Sequence, residues 1–102
     1  MSHNSILTGA ASELAVCADL LLRGFHVYKN VANTGVDLLA VRDTELYRIE
    51  VKTARVHKSG ISYYAKPIRN NFDVVASFIP RNTEVRYEPD IIHHPKPNGD
   101  TR

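Results

Sequence analysis

The sequence predicts an α+β domain, an N-terminal helix packed on a mixed sheet of five short strands, with room for a short second helix. Three observations carry this reading. Apolar residues recur at helical spacing over the first quarter of the chain. Five later runs are rich in Val, Ile, Tyr and Phe and are separated by turn-forming residues. The helical pattern precedes every strand, which is the segregated order of an α+β layer and not the alternation of an α/β one.

The helix begins near Asn4 and Ser5, both good N-caps, and Leu7, Ala11, Leu14, Ala18 and Leu21 mark its apolar stripe. Gly24 closes it with the residue type that tolerates a left-handed C-cap. The first strand runs from Phe25 through Val27 and ends at Asn30. Val36 to Val41 is the second, an apolar run broken only by Asp37, and Leu46 to Lys52 is the third. Arg42, Asp43, Thr44 and Glu45 form a polar turn that pairs these two as a hairpin. From Thr53 to Asn71 the chain reads as irregular, with Gly60 and Pro67 as breakers and a short helix around residues 65–70. Phe72 to Ile79 is a buried strand, Pro80 to Thr83 a turn, and Glu84 to Glu88 an edge strand. Residues 1–92 are one domain, and 93–102, rich in Pro, Asn and Gly, are expected to be a disordered tail.

At 102 residues, 43% apolar and 24% charged, the chain has the make-up of a single globular domain and not that of a collagen, a disordered chain or a membrane protein. No apolar run is long enough to span a bilayer, and no secretory leader is legible at the start. The single cysteine, Cys17, has no partner for an internal disulfide, which points to a cytoplasmic or nucleoid-associated setting. His93 and His94 lack the spacing of a metal site and read as part of the solvated tail. Net charge is only +2, but no acid occurs between Val51 and Phe72, where Lys52, Arg55, Lys58, Lys66 and Arg69 cluster. Such a run suits a phosphate backbone, and Tyr63 and Tyr64 within it suit sugars or bases.

The chemistry lies in acids placed inside strands. Asp37 interrupts an apolar run, and a carboxylate there costs several kcal/mol to desolvate unless something positive compensates. Glu50 interrupts the next strand, and Lys52, two residues on, projects from the same face. Antiparallel pairing across residues 42–45 sets Asp37 opposite residues 50–52, so the three groups converge. Two carboxylates offer hard oxygens to Mg²⁺, with Mn²⁺ as a substitute, and the carbonyl of Val51 is a further candidate ligand. Such an ion stabilises charge on a phosphate and acidifies a bound water, and Lys52 can orient or help deprotonate that water. The competing reading is an ordinary cross-strand ion pair of Lys52 with one acid. That alternative leaves the second acid unexplained.

Gly9-x-x-x-Glu13, Val36-Asp37 and Glu50-Val51-Lys52, in this order, resemble the PD-(D/E)xK nuclease superfamily. The stretches "LLLRGFHVYKN", "YRIEVKTAR" and "NNFDVVASFIPRNTEVRYEPD" are similar to the small-endonuclease group that includes group I intron homing endonucleases and archaeal Holliday junction resolvases. The resemblance spans about residues 5 to 90, and Val36 stands where the motif has proline. It implies a restriction-endonuclease-like fold and metal-dependent hydrolysis of DNA phosphodiester bonds, in linear duplex or at junctions. It assigns Asp37 and Glu50 as metal ligands, Lys52 as the catalytic lysine, and Glu13 as the helix acid that completes the site. The competing reading of Glu13 is a plain exposed helix glutamate, the less favoured of the two, and Asp73 reads as a turn or capping acid.

DNA contacts are expected from Thr53, Arg55, Lys58, Lys66 and Arg69, and from Asn33 in the loop before Asp37. One site per chain and two strands to cut imply a homodimer or higher homo-oligomer. The contrasting expectation is a catalytically inactive nuclease fold kept as a DNA-binding or assembly module.

Overall fold

The computed structural model describes residues 2–31, 36–57, 60–62 and 72–93. Helix α1 spans Ser2–Leu22, so Asn4 and Ser5 lie within it and not at its cap. It stops where expected. Gly24 takes φ +92°, and the amides of Phe25 and Gly24 donate to the carbonyls of Leu20 and Leu21, both at 3.0 Å. That pair of bonds is the Schellman C-cap, and it needs a residue free to adopt positive φ.

The face that α1 buries is not the expected one. Ser12, Val16 and Leu20 are inaccessible to solvent, with Ala15 and Cys17 packed beside them. Leu7, Ala11, Leu14, Ala18 and Leu21, the expected core stripe, face outward. Both sides of the helix are apolar, so periodicity could not choose between them. The two acids in the middle of the helix explain the choice. With Val16 and Leu20 inward, Glu13 meets Lys29 and Asp19 meets the Tyr87 hydroxyl, both supplied by the sheet.

The sheet comprises β1 (His26–Lys29), β2 (Leu38–Arg42), β3 (Glu45–Thr53), β6 (Val74–Ile79) and β7 (Glu84–Glu88), in that spatial order. All neighbours are antiparallel except β3 and β6, which makes the sheet mixed. The β2–β3 hairpin turns at Asp43 and Thr44, with Asp43 at φ 54°, a conformation Asp adopts more readily than most residues. The core joins Val16 and Leu20 to Phe25, Leu38, Ala40, Tyr47, Ile49, Val74, Ala76, Phe78, Tyr87 and Ile91. Phe25 meets Tyr47 edge to face, and the Arg42 guanidinium lies 4.2 Å from the centre of the Phe25 ring.

A parallel pair requires a long connection, and residues 54–73 supply it. The sequence reads 53–71 as irregular, but the connection holds an antiparallel hairpin, β4 (Arg55–His57) with β5 (Gly60–Ser62). The expected helix at 65–70 lies outside the described residues. β6 enters under Asp73, whose carboxylate accepts the Arg48 amide at 2.8 Å and the Arg48 guanidinium at 2.9 Å. Asp73 is therefore a structural clamp between β3 and β6. Past β7, Asp90 accepts the amides of Ile92 and His93, both at 3.0 Å, and Ile91 is buried, so the fold continues to His93. The rest of the expected tail, 94–102, lies outside the described residues.

Candidate active site

Three elements end close together at one edge of the sheet: the middle of α1, the end of β1, and the junction where β2 separates from β3. Alternation along β3 turns Tyr47 and Ile49 into the core under α1, and Glu50 and Lys52 to the other face. Glu50 is 8% exposed, an unusual burial for a glutamate, and Lys52 supplies its counter-charge with Nζ 3.1 Å from Oε2.

Asp37 does not sit inside β2, as the sequence suggested. It is the residue before the strand, which starts at Leu38. Its amide donates to the Ile49 carbonyl at 3.2 Å, and its Oδ2 accepts the Val51 amide at 2.8 Å. The side chain thus replaces a backbone carbonyl at the point where the ladder runs out. Because the amide and carbonyl of one strand residue point the same way, the Val51 carbonyl also faces this junction. Asn30 fixes the same turn from β1, donating its amide to the Asp37 carbonyl at 3.1 Å and its side-chain Nδ2 to the Val36 carbonyl at 2.7 Å.

Burial raises the Asp37 carboxyl above the ordinary carboxylate range, and the bond from Val51 partly offsets this. Glu13 and Glu50 push it further up, and Lys52 pulls it down. Asp37 thus stands within electrostatic reach of an acid from α1 and of an acid and a lysine from β3. Glu13 is additionally paired with Lys29 at 3.1 Å, and the two share a cleft with Asn30, Val31 and Asp37. Among the described residues, no three side chains of His, Cys, Asp or Glu are gathered tightly enough to enclose a metal ion by themselves. Among the described residues, nothing stands within 4 Å of where a Cβ on Gly9, the first residue of the helix motif, would lie.

The other expected contacts divide. Thr53 ends β3 with its hydroxyl bonded to Ser12 Oγ at 2.6 Å, which ties it to α1. Arg55 starts β4, and its side chain lies outside the described residues. Asn33, Lys58, Lys66 and Arg69 also lie outside the described residues. Asn30 was legible only as the first residue of the loop before Asp37, and Lys29 was not legible as a site residue; its only signal is the register of the β1–β2 pair, in which it stands opposite Leu38.

No family model and no curated protein sequence matches the chain. Its structure is similar to that of a bacterial homing endonuclease, I-Ssp6803I, with a TM-score of 0.63 and 19% sequence identity. The likeness covers 79% of this chain and 66% of that one, so the chain spans just under two thirds of that endonuclease's length. At this identity the likeness is one of fold, and the fold is nuclease-like.

Proposed function

We propose that the chain is a metal-dependent endodeoxyribonuclease of the PD-(D/E)xK type, acting on duplex or branched DNA. The observation that supports this most directly is the Asp37 carboxylate held on the amide of Val51, the residue between Glu50 and Lys52. A merely structural hydrogen bond does not require two further acids nearby, one of them nearly buried. The nuclease-like fold, shared with a protein whose title names it a homing endonuclease, supports the same reading.

The donor set suits Mg²⁺, with Mn²⁺ as a substitute. Mg²⁺ takes hard oxygens, keeps several waters and accepts substrate phosphate, so it does not need a cage of protein side chains. Asp37, Glu50 and the Val51 carbonyl are the proposed ligands, with Glu13 as an outer member reached once Lys29 yields it. The bound ion would supply charge neutralisation at the scissile phosphate and an acidified water. Lys52 then has two tasks at one place. It orients the Glu50 carboxylate through their ion pair, and it presents an ammonium group to the attacking water or the developing phosphorane charge. Asn30 positions Asp37 by fixing the backbone on either side of it. The run from Lys52 to Arg69 is the proposed phosphate track, with Thr53, Arg55, Lys58, Lys66 and Arg69 as contacts, and Asn33 is a further proposed contact.

A second reading, a catalytically inactive nuclease-fold module that binds DNA or assembles, draws on the two ion pairs that engage Glu13 and Glu50. One experiment separates the two. Purified chain is given linear duplex, nicked duplex and a four-way junction, with Mg²⁺ or EDTA. Cleavage of at least one substrate that requires the metal supports the enzyme. Binding with no cleavage of any substrate leaves the module.

A further inference from the structure

Helix α1 carries a second apolar face that no other described element covers. Ile6 is 76% exposed, Leu7 67%, Leu14 65%, Leu21 57% and Leu22 88%, with exposed Ala10, Ala11 and Ala18 between them. Glu13 and Asp19, the acids within this stretch, are both turned to the sheet side, so the outward surface from Ile6 to Leu22 carries no charge. A surface helix ordinarily shows the opposite arrangement, with apolar residues inward and charges outward. The strip from Ile6 to Leu22 is about 24 Å long at the helical rise. That is large for a surface a monomer leaves bare. Residues 2–22 contain no Lys or Arg, the residues that hold an amphipathic helix on an anionic membrane surface, so a bilayer is not the favoured cover.

Spacing says what is. Leu7, Leu14 and Leu21 are separated by seven residues, and Ala11 and Ala18 fall four after the first two. This is a heptad seam with leucine at one core position and alanine at the other, the pattern that packs against another helix of the same repeat. Alanine allows close approach of the two backbones, and leucine fills the space on either side. We propose that α1 pairs antiparallel with α1 of a second copy of this chain, across a two-fold axis near Leu14. Leu14 then meets the partner's Leu14, and Leu7 meets the partner's Leu21. A two-fold interface brings the same patch against itself, so an uncharged strip is matched by an uncharged strip. A polyanion such as DNA finds nothing to bind there. The helix dipoles also oppose one another in the antiparallel arrangement. Two such strips form an interface at or below the lower end of specific dimer interfaces, about 1,200 Å² in total, so association is expected to depend on chain concentration.

The test is solution mass by sedimentation equilibrium and light scattering, from low micromolar to submillimolar chain, and it involves neither metal nor DNA. The expected result is a concentration-dependent shift from the 11.4 kDa chain to twice that mass. Leu14→Glu and Ala18→Lys, both on the exposed face, are each expected to hold the chain at monomer mass with its circular dichroism intact. In a Cys17→Ser background, Leu14→Cys is expected to give a disulfide-linked dimer on mild oxidation, because the two-fold brings residue 14 to its own copy. A wild-type chain that stays monomeric throughout overturns the proposal. So does a dimer that survives both charge substitutions while they leave the fold unchanged.

Discussion

The Val51 amide donates to Asp37 Oδ2 at 2.8 Å, so a side chain continues the hydrogen-bonded ladder of β3 one step past the end of β2. This single contact fixes both the strand junction and the position of the carboxylate on which the proposed chemistry depends. Satisfying the Val51 amide also holds in place an acid that burial and two neighbouring acids disfavour.

That tension gives a pH dependence. Burial, Glu13 and Glu50 raise the Asp37 carboxyl above its unfolded value, so the folded state binds the proton more tightly than the unfolded one. The associated stability is fully present below the ordinary carboxylate range and is lost as pH rises through the raised value. Asp37→Asn retains an acceptor for Val51 and removes the charge. It is expected to melt at a higher temperature than wild type at neutral pH, with the gap narrowing as pH falls toward 4. Thermal melts of both proteins across that range check this, and equal melting temperatures at every pH would refute it.

Glu50→Ala and Lys52→Ala are expected to abolish metal-dependent cleavage and leave DNA binding in place, read by gel cleavage and by fluorescence anisotropy in parallel. Binding is expected to weaken steeply with added salt, through counterion release along the basic track. Cleavage that persists in both variants removes the proposed site.

Tyr87→Phe tests how β7 is held to α1. The phenol donates to Asp19 Oδ2 at 2.6 Å, and burial, together with that bond and the Asp19 charge, pushes its ionisation well above the ordinary tyrosine range. Removing the hydroxyl is expected to cost about 1–2 kcal/mol. For a domain this small the melting temperature then falls by roughly 4–8 °C per kcal/mol. An unchanged melting temperature would show that the bond contributes nothing net.

Asp73→Ala removes the clamp on Arg48 and leaves the β3–β6 backbone intact. It is expected to destabilise the fold by about 2 kcal/mol in urea unfolding, because the Arg48 amide loses its acceptor. Arg48→Ala, which keeps that acceptor, is expected to cost less. The reverse order would place the stabilisation in the exposed ion pair instead.

Sequence by itself determined the one-helix, five-strand order, the Gly24 stop, the β2–β3 hairpin and the β7 span, because each depends on local spacing and turn chemistry. It also singled out Asp37, Glu50 and Lys52 as charges in apolar runs, but only the structure places Asp37 just before β2 and not within it. Tertiary structure alone decided which face of α1 is buried. Two apolar faces are equivalent to a periodicity count, and only the partners that the sheet offers to Glu13 and Asp19 distinguish them. The β4–β5 hairpin was hidden because a three-residue strand leaves no countable alternation. Lys29 was hidden because its place beside Glu13 and Asp37 is set by pairing between strands, a relation that its own neighbours in the chain do not encode.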